Sequence, residues 1–208
     1  QGRHRAPRRA RRCDDVTARD GTADEALMLA YARGDAGAFD ILHARHRAAL
    51  FRYVRRLVHD PAVAEDVYQD VWMRVIHARE RYADTARFST WLYTIAHNRA
   101  MDHHRSARLR EAGRLGQDRD GDDDPLDDLP DPATPPPDQL VEREQLLRRV
   151  VAAVDALPVA QREAFVLQQE AGLSLDEIAQ VTGVNVETAK SRLRYAFAKL
   201  RRELGGRT

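Results

Sequence analysis

The segment Gln117 to Asp138 constrains this chain more than any other, because it holds nine Asp against one Arg together with six of the chain's nine prolines. Proline removes a backbone donor and clashes with the preceding turn, while crowded carboxylates repel one another, so no helix or strand continues through such a stretch. It reads as a flexible acidic linker, residues 115–138, between a module of residues 23–114 and one of residues 139–208. Two small domains are expected, each with a modest core. Residues 1–22 form a third zone, in which Gln1 to Asp20 carries seven Arg and three Asp with almost no apolar side chain. Such an arm buries too little to offset its chain entropy and is expected to be disordered.

Hydrophobic residues make up 43% and charged residues 32% of the 208, enough for a core but for no membrane span, since no run approaches the roughly 18 apolar residues a membrane helix needs. The single cysteine, Cys13, can form neither an internal disulfide nor a Cys-based metal cage. With no apolar segment near Gln1 of the kind a secretory signal has, a reducing, intracellular setting is expected. Lys plus Arg (34) nearly cancels Asp plus Glu (33) overall, but the charge is unevenly placed. Arg99 to Arg114 carries five Arg against two acids, and Asn185 to Thr208 carries seven Lys or Arg against two Glu. Each basic cluster ends its own module. They suit either one polyanion touched at two places or two ordinary solvated helix faces.

Apolar residues recur at helical spacing throughout, so the fold class is all-α. The spacing predicts helices over Ala23 to Arg33, Ala36 to Val58, Pro61 to Glu80 and Ser89 to Arg114, with Asp60-Pro61 as N-cap and first-turn proline of the third. In that third helix Val63, Val67, Val71 and Val75 make the buried seam, and Glu65, Asp66, Gln69 and Asp70 gather on another side near Trp72 and Met73. Carboxylates beside a large aromatic fit a docking patch for a basic helix; an ordinary solvated face with Trp72 in the core fits the same pattern.

The fourth helix begins apolar, with Trp91, Leu92, Ile95 and Ala96, and loses its stripe after Met101. At about 100° per residue Trp91, Thr94, Asn98, Asp102 and Arg105 fall on one line, while Arg99 and His103 prolong the former buried stripe beyond the core. Amide, guanidinium and imidazole groups on such an overhang suit phosphate contact and base-edge hydrogen bonds, and the loop Tyr82 to Phe88 has room for an unstacked base. Phe88 and Trp91 fit the core as well as they fit stacking platforms. His103 and His104 point about 100° apart and have no Cys or organised carboxylates beside them, so no metal site is expected. No catalytic constellation and no Gly-rich phosphate loop occurs either, so no enzyme activity and no cofactor are expected.

In the second module Leu140, Leu147, Val150, Val151, Val154 and Leu157 set a helix over Asp138 to Ala156, closed by Pro158, and another follows to about Ala171 with Phe165, Val166 and Leu167 apolar. Ser174-Leu175-Asp176-Glu177 is a capping box. It opens a helix of two turns, Leu175 to Val181, ended by Thr182-Gly183-Val184-Asn185, where Gly183 can turn left-handed. From about Val186 the last helix buries Ala189, Leu193, Ala196, Phe197 and Leu200 and leaves Glu187, Lys190, Ser191 and Arg194 outward. This is the pattern of a helix-turn-helix, with a plain helical hairpin as the alternative.

Three stretches then resemble the extracytoplasmic-function sigma factors of bacterial RNA polymerase, in the sigma-70 superfamily. Ala64 to Trp72 (AEDVYQDVW) is similar to that family's polymerase-clamp segment; Phe88 to Arg99 (FSTWLYTIAHNR) with Met101 to Arg105 is similar to its melting and minus-ten segment; and Glu177 to Ala179 with Glu187 to Leu193 is similar to its minus-thirty-five motif. They occur in the family's order across Ala23 to Leu204. The resemblance implies that Asp66, Gln69, Asp70 and Trp72 bind the clamp, that Arg87, Asn98, Arg99, Asp102 and Arg105 serve the minus-ten element, and that Glu187, Lys190, Ser191, Arg194 and Tyr195 face the minus-thirty-five duplex. Trp72 stands where Phe is commoner, Ala189 where Val is, and Tyr195 where many relatives have Arg. The implied partners are core RNA polymerase through clamp and flap, promoter DNA and an anti-sigma factor; the implied location is the cytoplasm. The linker is expected to thread a basic polymerase channel. The rival expectations are a dimeric repressor or activator using the helix-turn-helix alone, which would need palindromic half-sites, and a nucleic-acid enzyme, for which no catalytic residues present themselves.

Overall fold

The computed structural model describes residues 21–58, 60–114 and 138–205, and among them are eight α-helices and no strand. They are α1 (Asp24–Ala32), α2 (Ala36–Leu57), α3 (Pro61–Ala78), α4 (Phe88–Arg114), α5 (Asp138–Asp155), α6 (Val159–Ala171), α7 (Leu175–Thr182) and α8 (Val186–Gly205), with one 3-10 turn, Arg79–Arg81, after α3. The all-α expectation holds. The Arg-rich arm through Asp20 and the acidic segment 115–137 lie outside the described residues.

Local chemistry starts several of these helices. The Asp35 carboxylate accepts from the Gly37 and Ala38 amides at 3.1 and 3.4 Å to open α2. Asp60 does the same for α3, from Ala62 and Val63 at 2.8 and 3.3 Å, with Pro61 in the first turn. The capping box of α7 is complete: the Glu177 amide donates to Ser174 Oγ at 3.3 Å, and the Ser174 amide donates to Glu177 Oε2 at 2.8 Å. At α4 a residue far away in sequence caps the helix. The Phe88 amide donates to Glu25 Oε1 on α1 at 2.8 Å.

The first half of the core is built from Met28, Leu42, Leu50, Val54, Val67, Val71, Val75, Phe88, Leu92 and Ala96, all buried. Val63, expected in the seam of α3, is only partly buried because it sits in the first turn. In the second half Val154, Leu157, Leu167, Ile178, Ala189, Leu193, Ala196 and Leu200 are buried. Three side chains expected there are not: Leu147, Val151 and Phe197 are 57%, 42% and 41% exposed. On α5 the buried positions are Ala153 and Val154 in its last turns, which leaves Leu147 and Val151 uncovered, while Phe197 on α8 is covered on one side by the Phe165 ring at 5.4 Å.

The two halves meet. α2 lies along α6 and α4 packs on α7. Buried Tyr53 and Tyr93 contact edge to face at 5.1 Å, and Tyr53 Oη donates to Glu163 Oε1 on α6 at 2.7 Å. His97 Nδ1 on α4 stands 2.6 Å from the same oxygen, and Glu163 is only 3% exposed. Burial, reinforced by the neighbouring carboxylate, pushes the Tyr53 phenol well above its ordinary pKa and keeps it a donor. Arg52 with Glu170 at 2.6 Å and Arg56 with Asp155 at 2.8 Å lie at the rim. Polar residues thus line a contact that periodicity alone assigns to solvent.

Gly183 closes α7 at φ +66°, and a Cβ added there would meet nothing within 4 Å. Gly183→Ala is therefore expected to cost only the left-handed backbone penalty, about 1 kcal/mol, and Gly183→Asn less. Equilibrium denaturation of the full chain with helicity as the signal checks both.

Candidate nucleic-acid interface

On α3 the residues Glu65, Asp66 and Gln69 are exposed on one face, as the spacing requires. Trp72, expected to add docking area beside them, is instead 6% exposed. Its ring meets Phe39 edge-on at 5.7 Å and His43 at 4.7 Å, so it supports the patch from beneath. Exposed Met73 is the large apolar side chain that remains at the surface nearby. Asp70 is committed within the fold: its Oδ2 pairs with Arg74 at 2.8 Å and with Arg99 on α4. Partial burial works to raise the Asp70 pKa, but hydrogen bonds and charge from Arg74 and Arg99 outweigh it and hold the carboxyl below the ordinary value.

Asp102 continues the chain of charges, with Arg99 at 3.9 Å and Arg105 at 3.8 Å. Arg99, Asp102 and Arg105 are therefore brought together and joined to Asp70, while Asn98 turns elsewhere. It lines an open cavity of about 340 Å³ between α3 and α4 with Arg74, His77, Ala78, Arg81, Trp91 and Ile95. Trp91 is half-buried, with its ring 5.1 Å from Tyr82 and 5.9 Å from Phe88, and Phe88 is fully core. Cations, an amide and an indole around one cavity can hold a phosphate and the face or edge of a base. Arg74, His77 and Arg81 were not among the expected contacts. Their spacing of three and four residues, continued through the 3-10 turn, is the sequence signal that marks them.

Arg87, grouped with the minus-ten residues by resemblance, stands apart from this cavity's lining and lies 3.5 Å from Glu177 of α7. Thr90 Oγ1 donates to the same Glu177 oxygen at 3.0 Å. Burial alone would raise the Glu177 pKa; hydrogen bonds from Ser174 and Thr90 and the Arg87 charge bring it below the usual carboxylate value.

In the second half, α7, the Gly183 turn and α8 form the helix-turn-helix. Asn185 Oδ1 accepts from the Thr188 amide at 2.7 Å and caps α8. Glu187, Lys190, Arg194 and Tyr195 are exposed and Ser191 is half-buried. Lys190 Nζ is 3.6 Å from Glu187, and the Arg194 guanidinium stacks over Tyr195 at 5.1 Å. The stack presents a flat cationic surface beside the Lys190 head. Among the described residues no group of His, Cys, Asp and Glu could hold a metal ion, and no helix is long and apolar enough to cross a membrane.

The chain matches the family models for Sigma-70 region 2 over residues 42–110 and for Sigma-70 region 4 over residues 147–200. The first takes in α3 and most of α4, the second the helix-turn-helix. It is 33% identical over 178 residues to the RNA polymerase sigma factor CarQ of Myxococcus xanthus, covering 86% of this chain and 95% of that protein. Against the ECF sigma factor SigL of Mycobacterium tuberculosis it is 35% identical over 178 residues, 84% of this chain and 94% of the relative. Among solved structures, CnrH in complex with the cytosolic domain of CnrY superposes with a TM-score of 0.61 at 28% identity, over 89% of this chain and 99% of that one. The sigma factor RpoE in complex with the anti-sigma factor NepR from Bartonella quintana shares the fold at TM-score 0.63 and 22% identity, over 80% and 96%. The chain belongs to the extracytoplasmic-function sigma factors of the sigma-70 family.

If Arg99 holds Asp70 in its low-pKa state, Arg99→Gln moves the Asp70 titration up toward the ordinary carboxylate range. Carbon-detected NMR of the side-chain carboxyl in both proteins reads this. An unchanged midpoint would leave Arg74 as the sole cause.

Proposed function

We infer that this protein is an alternative sigma factor that brings core RNA polymerase to specific promoters and assists strand opening there. The observation that carries this is one chain with two unlike nucleic-acid surfaces: a cavity suited to single-stranded bases and an exposed helix suited to the major groove. The family match supports it.

The exposed carboxylates Asp66 and Glu65 and the amide of Gln69 offer the polymerase clamp an acidic face, with Trp72 stiffening the helix beneath. Asp70 contributes both to that face and, through Arg99, to the arrangement of the minus-ten residues. Non-template bases enter the cavity against Trp91 and Asn98 while Arg74, His77 and Arg81 take phosphates. Each stacked base contributes about 1–3 kcal/mol, so two or three offset the few kcal/mol of unstacking that local opening costs. Arg99, Asp102 and Arg105 extend this surface along α4, and Arg87 joins it once freed from Glu177. In the second module Lys190, Ser191, Arg194 and Tyr195 face the minus-thirty-five duplex, with Glu187 orienting Lys190. The protein makes and breaks no bond; the polymerase supplies the catalysis. It works in the cytoplasm, where its polymerase is, and an anti-sigma factor is its negative regulator, a reading supported by the complex of the sigma factor RpoE with the anti-sigma factor NepR.

In vitro transcription with core polymerase tests the reading. Asn98→Ala is expected to reduce open-complex formation about tenfold, with upstream-element preference kept. Lys190→Ala is expected to lose about tenfold of upstream selectivity with opening on a pre-melted template kept. Asp66→Ala should weaken binding to core. A chain that binds promoter duplex fully without polymerase, or that brings polymerase to no particular start point, excludes this function.

A further inference from the structure

A strongly charged segment has no part in the site described above: Gln1 to Cys13 holds six Arg and no Asp or Glu. The fold settles where this segment is rooted. Arg45 on α2 donates through one guanidinium nitrogen to the Thr22 carbonyl at 2.7 Å and to Asp24 Oδ1 at 2.6 Å, and His46 Nε2 stands 2.6 Å from Asp24 Oδ2. The next residue, Glu25, accepts from the Phe88 amide at the head of α4, and the His46 ring lies 5.2 Å from the Phe88 ring. α1 also packs on the 3-10 turn, where Arg79 stands over the Tyr31 ring at 5.7 Å. That turn supplies Arg81 to the cavity, and α4 supplies Trp91 and Asn98. The chain therefore enters the fold beside the helix that carries the single-strand surface.

Root and charge together select a partner. Phe88 to Asn98 is ten residues of α4, about 15 Å along its axis. Nineteen residues separate Arg3 from Thr22, about 65 Å at full extension. Six guanidinium groups are thus tethered within reach of nucleic acid on either side of bases held at Asn98. Two polyanions compete for them. The chain's own segment Gln117 to Asp138 has nine Asp in 22 residues, one charge per about 8 Å when extended. B-form DNA carries one per about 1.7 Å and with it a condensed counterion atmosphere whose release favours binding. The sparser carboxylates hold little of such an atmosphere, so the duplex wins.

We propose that the arginines of Gln1 to Cys13 bind the phosphates of duplex DNA flanking the opened minus-ten element. The place on the promoter rests on the sigma-factor reading above. This contact reads no base; it adds affinity common to all promoters and makes binding steeper in salt, while selectivity stays with α4 and α8.

Two measurements on the full chain test it. In the first, Arg3→Gln, Arg5→Gln, Arg8→Gln, Arg9→Gln, Arg11→Gln and Arg12→Gln are combined, and binding of the holoenzyme to a pre-melted promoter with duplex flanks is followed from about 50 to about 200 mM salt. The slope of log affinity against log salt is expected to become shallower by about 5. The change should be equal on promoters of different sequence, and equal in a chain whose nine linker Asp are replaced by Asn. A slope within about one unit of the unmodified chain's overturns the proposal. So does a difference that vanishes in the Asn-linker chain, which puts the arginines on the linker, or one that persists in full on the non-template strand alone, which puts them on single strand.

The second measurement needs no substitution. Cys13, the single cysteine, is alkylated with an azidophenacyl photo-crosslinker. Nine residues from Thr22 span about 30 Å, so attachment is expected on duplex DNA within about 15 base pairs of the minus-ten element. Attachment only to polymerase, or only to the chain itself, overturns the proposal. If the chain never directs initiation with core polymerase while the slope difference persists for the chain alone on duplex DNA, it is the sigma-factor reading that fails.

Discussion

A carboxylate removed from water has to be met by donors, and in this protein the donors that meet Glu163 belong to the opposite module. That requirement arranges much else. Tyr53 must remain protonated, and its burial beside Glu163 keeps it so. Tyr93 packs against the Tyr53 ring, which ties α4 to α2 at the same place where α6 crosses. Two sets of helices that each have a small core thereby share one contiguous buried region. The contact is closed by polar matching, and such contacts specify geometry more than they add stability.

The second organising element is α4, which belongs to three neighbourhoods at once. Its head is capped by Glu25 of α1 and tied to Glu177 of α7; its middle lines the cavity through Trp91, Ile95 and Asn98; and Arg99 reaches back to Asp70 on the face that α3 offers to a partner. Arg99 shares the Asp70 carboxylate with α3, and Thr90 shares Glu177 with α7. The proposed docking face and the proposed base cavity are thus joined by direct side-chain contacts along one helix.

Much of the fold was legible in the chain. The all-α class, the Asp60-Pro61 start, the Ser174 box and the Gly183 turn depend on near neighbours, and those interactions act within four residues. The helix-turn-helix and its outward Lys190 and Arg194 were legible for the same reason. What misled was periodicity where a helix has more than one covered face or too few. Leu147 and Val151 repeat at core spacing but stay exposed, Phe197 is covered on one side only, by the Phe165 ring at 5.4 Å, and Trp72 sits near an acidic face yet turns into the Phe39 and His43 rings. The cations of the cavity, Arg74, His77 and Arg81, were passed over because a helical array of basic residues is ordinarily a solvated face, and only the approach of Trp91 and Asn98 makes it a site.

Sequence by itself determined the helices, the turn between α7 and α8, and the outward placing of Lys190 and Arg194, because caps, glycine conformations and helical spacing are local and leave few alternatives. Tertiary structure decided that Glu25 caps α4, that Asp70 is shared with Arg99, that Asn98 faces a cavity, and that the modules meet around Glu163. Each of these joins residues from different helices, some more than a hundred positions apart in the chain, as Tyr53 and Glu163 are. A polar residue on a helix face reads as solvent-facing until the partner that removes it from water is in place.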